Sequence, residues 1–283
     1  MTFAMGWETR ANCTSCCHGK CAWRELAVCA IAEARRGIDS SVLADVYQLG
    51  VFRGTSMRFL DARLDASFDF WGLDSFKGLP HTFESPRLGD ASVDYSWHAG
   101  DYAADPRNQL TKKLQRNVNF IGGFFNVSLL DDGLATEMRP AAYIDVDVDL
   151  YESARDSLDF LFRNRLVRPG TVIGYDDWWV LTCCDGAQSP LSGGEGRAHA
   201  EMAEKYNVAL KCIGGSCMLP RREHAGCQTH RHAWGALFVV QADHQPSHGV
   251  WHREMDIEEF RKRNSQCRNC AARYRRRASA AIS

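Results

Sequence analysis

Three carboxylates recur at every second position in Ile144-Asp-Val-Asp147-Val-Asp149, and two more stand side by side at Asp176-Asp177. If the strand persists through residue 149, a period of two puts the first three on one face. Such a row is costly in a core, because like charges repel and each carboxylate loses its water. A cation offsets both costs. Carboxylate oxygens are hard donors of the kind that hold Mg²⁺, which keeps waters or substrate oxygens as its remaining ligands. The chemistry to expect is metal-assisted. The competing reading is two strands that end in solvent, with acids capping helices. Acids at two successive strand ends favour the metal.

A second group is Gln48-Leu-Gly50-Val-Phe-Arg-Gly54-Thr-Ser56. Glycines at a strand-to-helix bend let backbone approach a ligand, and the helix start offers free N–H groups. Asp74 stands 24 residues beyond Gly50, at the end of the next apolar run. An acid there accepts hydrogen bonds from ribose hydroxyls in dinucleotide-type sheets. No complete Gly-x-Gly-x-x-Gly is present, which favours an adenosine-bearing cofactor other than a nicotinamide dinucleotide.

The elements that must carry these groups are legible as alternating apolar periods. Strands are expected at 44–50, 67–74, 117–125, 141–149 and 171–177, and helices at 54–64, 106–116, 152–166 and 194–206. This alternation predicts an α/β fold with a mainly parallel sheet and helices on both faces. Two late runs, 207–214 and 235–241, read as further strands joined by a long irregular hairpin. A helix over 23–37 precedes the first strand, with Gly37 as its stop. The organisation expected is an arm and helix at 1–40, one domain at 41–245 and a tail at 246–283. Between Arg261 and Arg277 the tail holds eight Lys or Arg and no acid, a pattern usual for a solvated basic helix.

Composition narrows the class. The chain has 283 residues, 45% hydrophobic and 24% charged, with a formal net charge of −1. That suits a folded enzyme-sized domain and gives no sign of a nucleic-acid partner. No apolar run approaches the roughly 20 residues of a membrane span, and no secretory signal is evident. A cytoplasmic protein is the expectation, and its twelve cysteines are then expected as reduced thiols. Cys13-x-x-Cys16-Cys17-x-x-x-Cys21 and Cys267-x-x-Cys270 have spacings that zinc can use, without a complete ligand set. His98, His230, His232, Trp178 and Trp179 are candidates for lining a pocket, and Cys183-Cys184 for bordering it.

Taken in order, several stretches resemble the macrocin O-methyltransferase family of metal-dependent class I methyltransferases. They are Leu49-Gly-Val-Phe-Arg-Gly54-Thr-Ser56, Gly72-Leu-Asp-Ser-Phe-Lys-Gly-Leu-Pro80, Gly122-Gly-Phe-Phe125, Asp147-Val-Asp-Leu-Tyr-Glu-Ser153, Pro169-Gly-Thr-Val-Ile173 with Asp176-Asp177, and Gly194-Glu-Gly-Arg-Ala198. The resemblance implies a Rossmann-like class I methyltransferase sheet ending in an antiparallel hairpin. It implies S-adenosylmethionine at Gly50, Gly54, Ser56, Asp74 and Ser75. It implies Mg²⁺ on Asp147, Asp176 and Asp177, Asp149 as the general base, and a small hydroxylated acceptor such as a sugar. A homodimer is a common state of such folds. Two departures stand out. Gln48 replaces the acid usual before the first glycine, and the extra Asp145 leaves open which of Asp145, Asp147 and Asp149 ligates the metal. The alternatives are a nucleotide-sugar glycosyltransferase, with Asp-Val-Asp as its metal-diphosphate motif, and a non-catalytic binding module that keeps the fold.

Overall fold

The computed structural model describes residues 23–35, 42–81, 98–178, 191, 193–215 and 235–241. The strands are β1 (Asp45–Leu49), β2 (Asp69–Asp74), β3 (Val118–Gly122), β4 (Ala141–Val146), β5 (Val172–Tyr175), β6 (Leu210–Gly215) and β7 (Ala236–Val240). They form one seven-stranded sheet in the order β3-β2-β1-β4-β5-β7-β6. The first five pair in parallel, and β7 runs antiparallel to both β5 and β6. β1, β4 and β5 are buried at every position. Strands covered on both faces read as largely apolar runs, interrupted here by the buried Asp45, Gln48 and Asp145. β3 lies at an edge and has one buried position, Ile121.

Helices cover both faces. On one side α1 (Trp23–Ala34), α2 (Thr55–Asp61) and α3 (Arg107–Lys113) bury Leu26, Ile31, Met57, Leu60 and Leu110 among Val46, Phe70, Tyr143 and Val172. On the other, the short α4 (Phe125–Ser128), a 3-10 turn (Asp132–Glu137), α5 (Tyr151–Arg163) and α6 (Gly194–Lys205) pack over Tyr47, Leu49, Ile144 and Ile173. In α5 the buried Ala154, Leu158 and Leu161 fall at helical spacing, so one stripe meets the sheet. None of the described helices is long and apolar enough to cross a membrane.

One expectation about β4 fails. The strand ends at Val146, so Asp147 and Asp149 lie beyond it, and Asp149 adopts φ 61°. The three acids therefore do not share a strand face. The chain leaves the sheet where the neighbouring ladders stop, and asparagine and aspartate are the non-glycine residues that best tolerate this left-handed region. The thiols also differ from expectation, because Cys29 on α1 and Cys212 on β6 are each disulfide-bonded. That expectation rested on compartment alone, and sequence spacing does not report which sulfurs a fold brings within reach.

Candidate active site

Strand order reverses between β1 and β4, and in open α/β sheets ligands bind beyond the carboxyl ends of strands at such a point. There the chain encloses a cleft of about 630 Å³. Gly50, Asp74, Ser75, Asp147, Asp149, Asp176 and Asp177 all line it. Gly54 and Ser56 do not.

Gly50 has φ 78°, and a Cβ placed on it meets the carbonyl oxygen of Asp147 at 1.9 Å. Only glycine permits the turn after β1 to lie this close to the end of β4. Gly54 answers a different demand, since its Cβ would strike the Leu110 side chain at 2.7 Å. It lies where α2 meets α3 and, like Gly50, has a positive φ, 71°. Asp74 accepts from the backbone N–H groups of Val51 and Phe52 at 2.6 and 2.9 Å, and from Phe76 at 2.7 Å. It thereby ties the glycine turn to the end of β2. A carboxylate has about four lone-pair sites, so this acid anchors the turn before it meets a ligand. The Ser75 hydroxyl is used likewise within its own loop, donating to the Gly78 carbonyl at 2.7 Å. Gln48 donates to the Gly50 carbonyl at 2.9 Å. Its Oε1 is buried with no hydrogen-bond partner among the described residues.

On the facing side, backbone hydrogen bonds carry the acids out of the sheet in register. Asp147 N–H donates to Leu49 at 3.0 Å and Asp176 N–H to Val146 at 2.9 Å. One carboxylate oxygen from each of Asp147, Asp176 and Asp177 lies within 4.8 Å of the others. Among the described residues these are the acids grouped closely enough to share one cation. Asp145 stands apart. It is fully buried, accepts from the Tyr143 hydroxyl at 3.2 Å and pairs with Arg24 at 3.2 Å.

Burial and mutual repulsion dominate the electrostatics. Burial, with Asp176 next, holds the Asp147 carboxyl well above its ordinary range, partly opposed by Arg24. Burial, followed by Asp149 and Asp176, does the same to Asp177. Asp149 is pushed up to about 8, first by burial and then by Asp147 and Glu195, against a hydrogen bond with Asp177 that lowers it. Close carboxylates that cannot all ionise are a usual sign of a functional centre.

Two residues that the sequence did not mark complete the frame. Arg24, at the first turn of α1, pairs with Asp145, Asp147 and Asp176. Glu195, buried at the start of α6, accepts from the N–H of Val148 at 3.0 Å and of Asp177 at 3.1 Å. Arg24 sits outside the acid motifs altogether, while Glu195 falls inside the Gly194–Ala198 stretch without any chemical signal of its own. Other candidates fall away. Trp178 packs in the core against Tyr175, His199 and Phe238 and does not line the cleft. His98 is exposed beside Asp101 and does not line the cleft either. His230, His232, Trp179, Cys183-Cys184, the paired-cysteine motifs and the basic tail lie outside the described residues.

Residues 19–191 match the family model for macrocin O-methyltransferase. No curated protein matches. Solved structures that resemble the chain include the calicheamicin methyltransferase CalS11, at 14% identity and TM-score 0.48 over 77% of this chain and 78% of that one. An O-methyltransferase from Bacillus cereus in complex with S-adenosylhomocysteine shows 14% identity and TM-score 0.43 over 76% and 80%. The O-methyltransferase TomG from Streptomyces achromogenes shows 15% identity and TM-score 0.37 over 76% and 79%. With more than half of its length matched by the family model, the chain belongs to the macrocin O-methyltransferase family, and thus to the S-adenosylmethionine-dependent O-methyltransferases.

Proposed function

We propose that the protein transfers the methyl group of S-adenosylmethionine to a hydroxyl of a sugar or similar small molecule, with Mg²⁺ on Asp147, Asp176 and Asp177 and Asp149 as the base. The observation that carries the metal is the grouping of three carboxylate oxygens within 4.8 Å at the cleft. The donor set fits, since Mg²⁺ prefers hard oxygens and is held by a few carboxylates together with substrate oxygens. When bound, the ion acidifies a coordinated hydroxyl.

The chain's own residues do the rest. Gly50 keeps the first turn low enough for a ligand to lie across it, and Asp74 fixes that turn from β2. Asp149 takes the acceptor's proton. Burial and the neighbouring Asp147 and Glu195 raise its pKa to about 8 in the metal-free cluster, and a cation bound there would lower it toward the range of a base at neutral pH. The acceptor oxygen forms its bond to the methyl carbon as the carbon–sulfur bond breaks, leaving S-adenosylhomocysteine. Tyr151, Arg155 and Asp156 line the same cleft and offer polar contacts suited to a hydroxylated acceptor.

Calorimetric titration of the full chain with S-adenosylmethionine, with and without Mg²⁺, tests this. Binding of the donor is expected in both cases, and heat from Mg²⁺ only while Asp147, Asp176 and Asp177 are intact. Absence of donor binding at high protein concentration would support a non-catalytic module instead.

A further inference from the structure

Arg24 belongs to a helix with no chemical motif, yet each of its three guanidinium nitrogens meets a different carboxylate. Nε lies 3.2 Å from Asp145 Oδ2, Nη2 3.0 Å from Asp147 Oδ2, and Nη1 3.0 Å from Asp176 Oδ1. The side chain is 18% exposed, so water screens these contacts poorly. A guanidinium is planar and rigid, unlike an ammonium, so Asp145 and Asp147, hydrogen-bonded to Nε and Nη2, are held relative to each other, and Asp176 joins them as an ion pair.

The partners differ in what remains to them. Both oxygens of Asp145 are engaged, one by Arg24 and one by the Tyr143 hydroxyl. Asp147 and Asp176 each meet Arg24 through one oxygen and also belong to the close oxygen group. Asp177, the third member of the close oxygen group, interacts instead with Asp149. The arginine thus flanks the oxygen group on the Asp145 side.

We propose that Arg24 is a positioning residue of the acid centre, neutralising the buried Asp145 and holding Asp147 and Asp176 as preset oxygen donors for a divalent cation. The first half stands on the ion pairs alone, and the second rests on the metal reading above. The rival arrangement is an arginine that fills the cation's place and competes with it. The Asp145 contact weighs against that, because a displaceable plug would not be anchored on an acid outside the oxygen group.

Two measurements on the full chain decide the matter. In metal-free buffer, thermal unfolding of Arg24→Gln, Asp145→Asn and the double variant forms a cycle. Arg24→Gln is expected to lower the midpoint by several degrees, and adding Asp145→Asn is expected to recover much of that loss. Additive effects would overturn the charge-neutralising half. Second, Mn²⁺ binding followed by electron paramagnetic resonance is expected to weaken about 10–100-fold in Arg24→Gln, with partial recovery in Arg24→Lys. Unchanged or tighter Mn²⁺ binding in Arg24→Gln would overturn the positioning half and establish competition. No Mn²⁺ binding by the unmodified protein, with a coupled cycle, would sink the metal reading and leave the neutralising half supported.

Discussion

The carboxylate of Glu195 accepts the backbone N–H of Val148 at 3.0 Å, across 47 residues of chain. Its second oxygen accepts the N–H of Asp177 at 3.1 Å. One buried side chain therefore ties together the two loops that carry the acid centre. Glu195→Ala leaves one buried and one part-buried N–H group without its acceptor, at about 1–3 kcal/mol for a buried unsatisfied donor. Denaturant unfolding should show a loss of about 2 kcal/mol or more, accompanied by weaker Mg²⁺ binding. Unchanged stability would remove Glu195 from the frame.

Asp149→Asn keeps the size and a tolerated left-handed backbone but cannot accept the proton. General-base catalysis contributes roughly 10²–10⁴-fold. A fall of that order in kcat, with S-adenosylmethionine affinity preserved in calorimetry, is the expected result. Full activity in the variant would assign the base elsewhere.

Gly50→Ala tests the turn. The added methyl would overlap the Asp147 carbonyl, and φ 78° is strained for any residue with a Cβ. A stability loss of at least about 2 kcal/mol is expected, and donor binding should weaken because the turn and the Asp147 backbone must separate. Gly54→Ala is the control, since it strains α2 against Leu110 without touching the cleft. A donor-affinity loss as large in the control would show that the two glycines act alike.

Acid sensitivity should trace to His199. Its Nδ1 lies 3.0 Å from the Tyr175 hydroxyl in an apolar enclosure, and burial pulls its pKa from 6.5 down to about 3. As pH falls, the unfolded chain takes up this proton first. The contribution of His199 is thus fully present above about 6.5 and is lost as pH drops toward about 3. Unfolding midpoints of His199→Gln should depend less on pH across that window than those of the unmodified protein. Parallel curves would argue against it.

The acids act in the opposite direction. With a folded pKa of about 8 against an ordinary 3.8, Asp149 holds its proton more firmly when folded. Metal-free protein should therefore lose stability as pH rises from about 4 to about 8. Asp149→Asn should flatten that decline, as should excess Mg²⁺ in the intact protein. A decline that persists unchanged in the variant would place its origin in other groups.

Much of this arrangement was legible in the sequence, for identifiable reasons. Strands buried on both faces, such as β4 and β5, announce themselves as apolar runs. The acids that follow them stand out because carboxylates seldom follow such runs without a partner. What stayed hidden depends on distance in the chain. Nothing local distinguishes Arg24 or Glu195 from other charged residues on helices, because their partners lie in distant segments. The strand termini were also overextended, since Asp147 and Asp149 keep the alternating pattern after the backbone has left the sheet. The two glycines looked equivalent as letters, and only packing separates Gly50 at the cleft from Gly54 at Leu110.

Arg24 and Asp145 are separated by 121 residues. During synthesis the arginine emerges early and waits for most of the sheet to follow it. Closing so large a loop is slow relative to local helix formation. Until it closes, Asp145 has no counter-charge and its strand is poorly suited to the middle of a sheet. The acid centre is therefore complete only after this long-range contact has formed. A chain lacking α1 would lose more than a peripheral helix, because its central strand would carry a stranded charge.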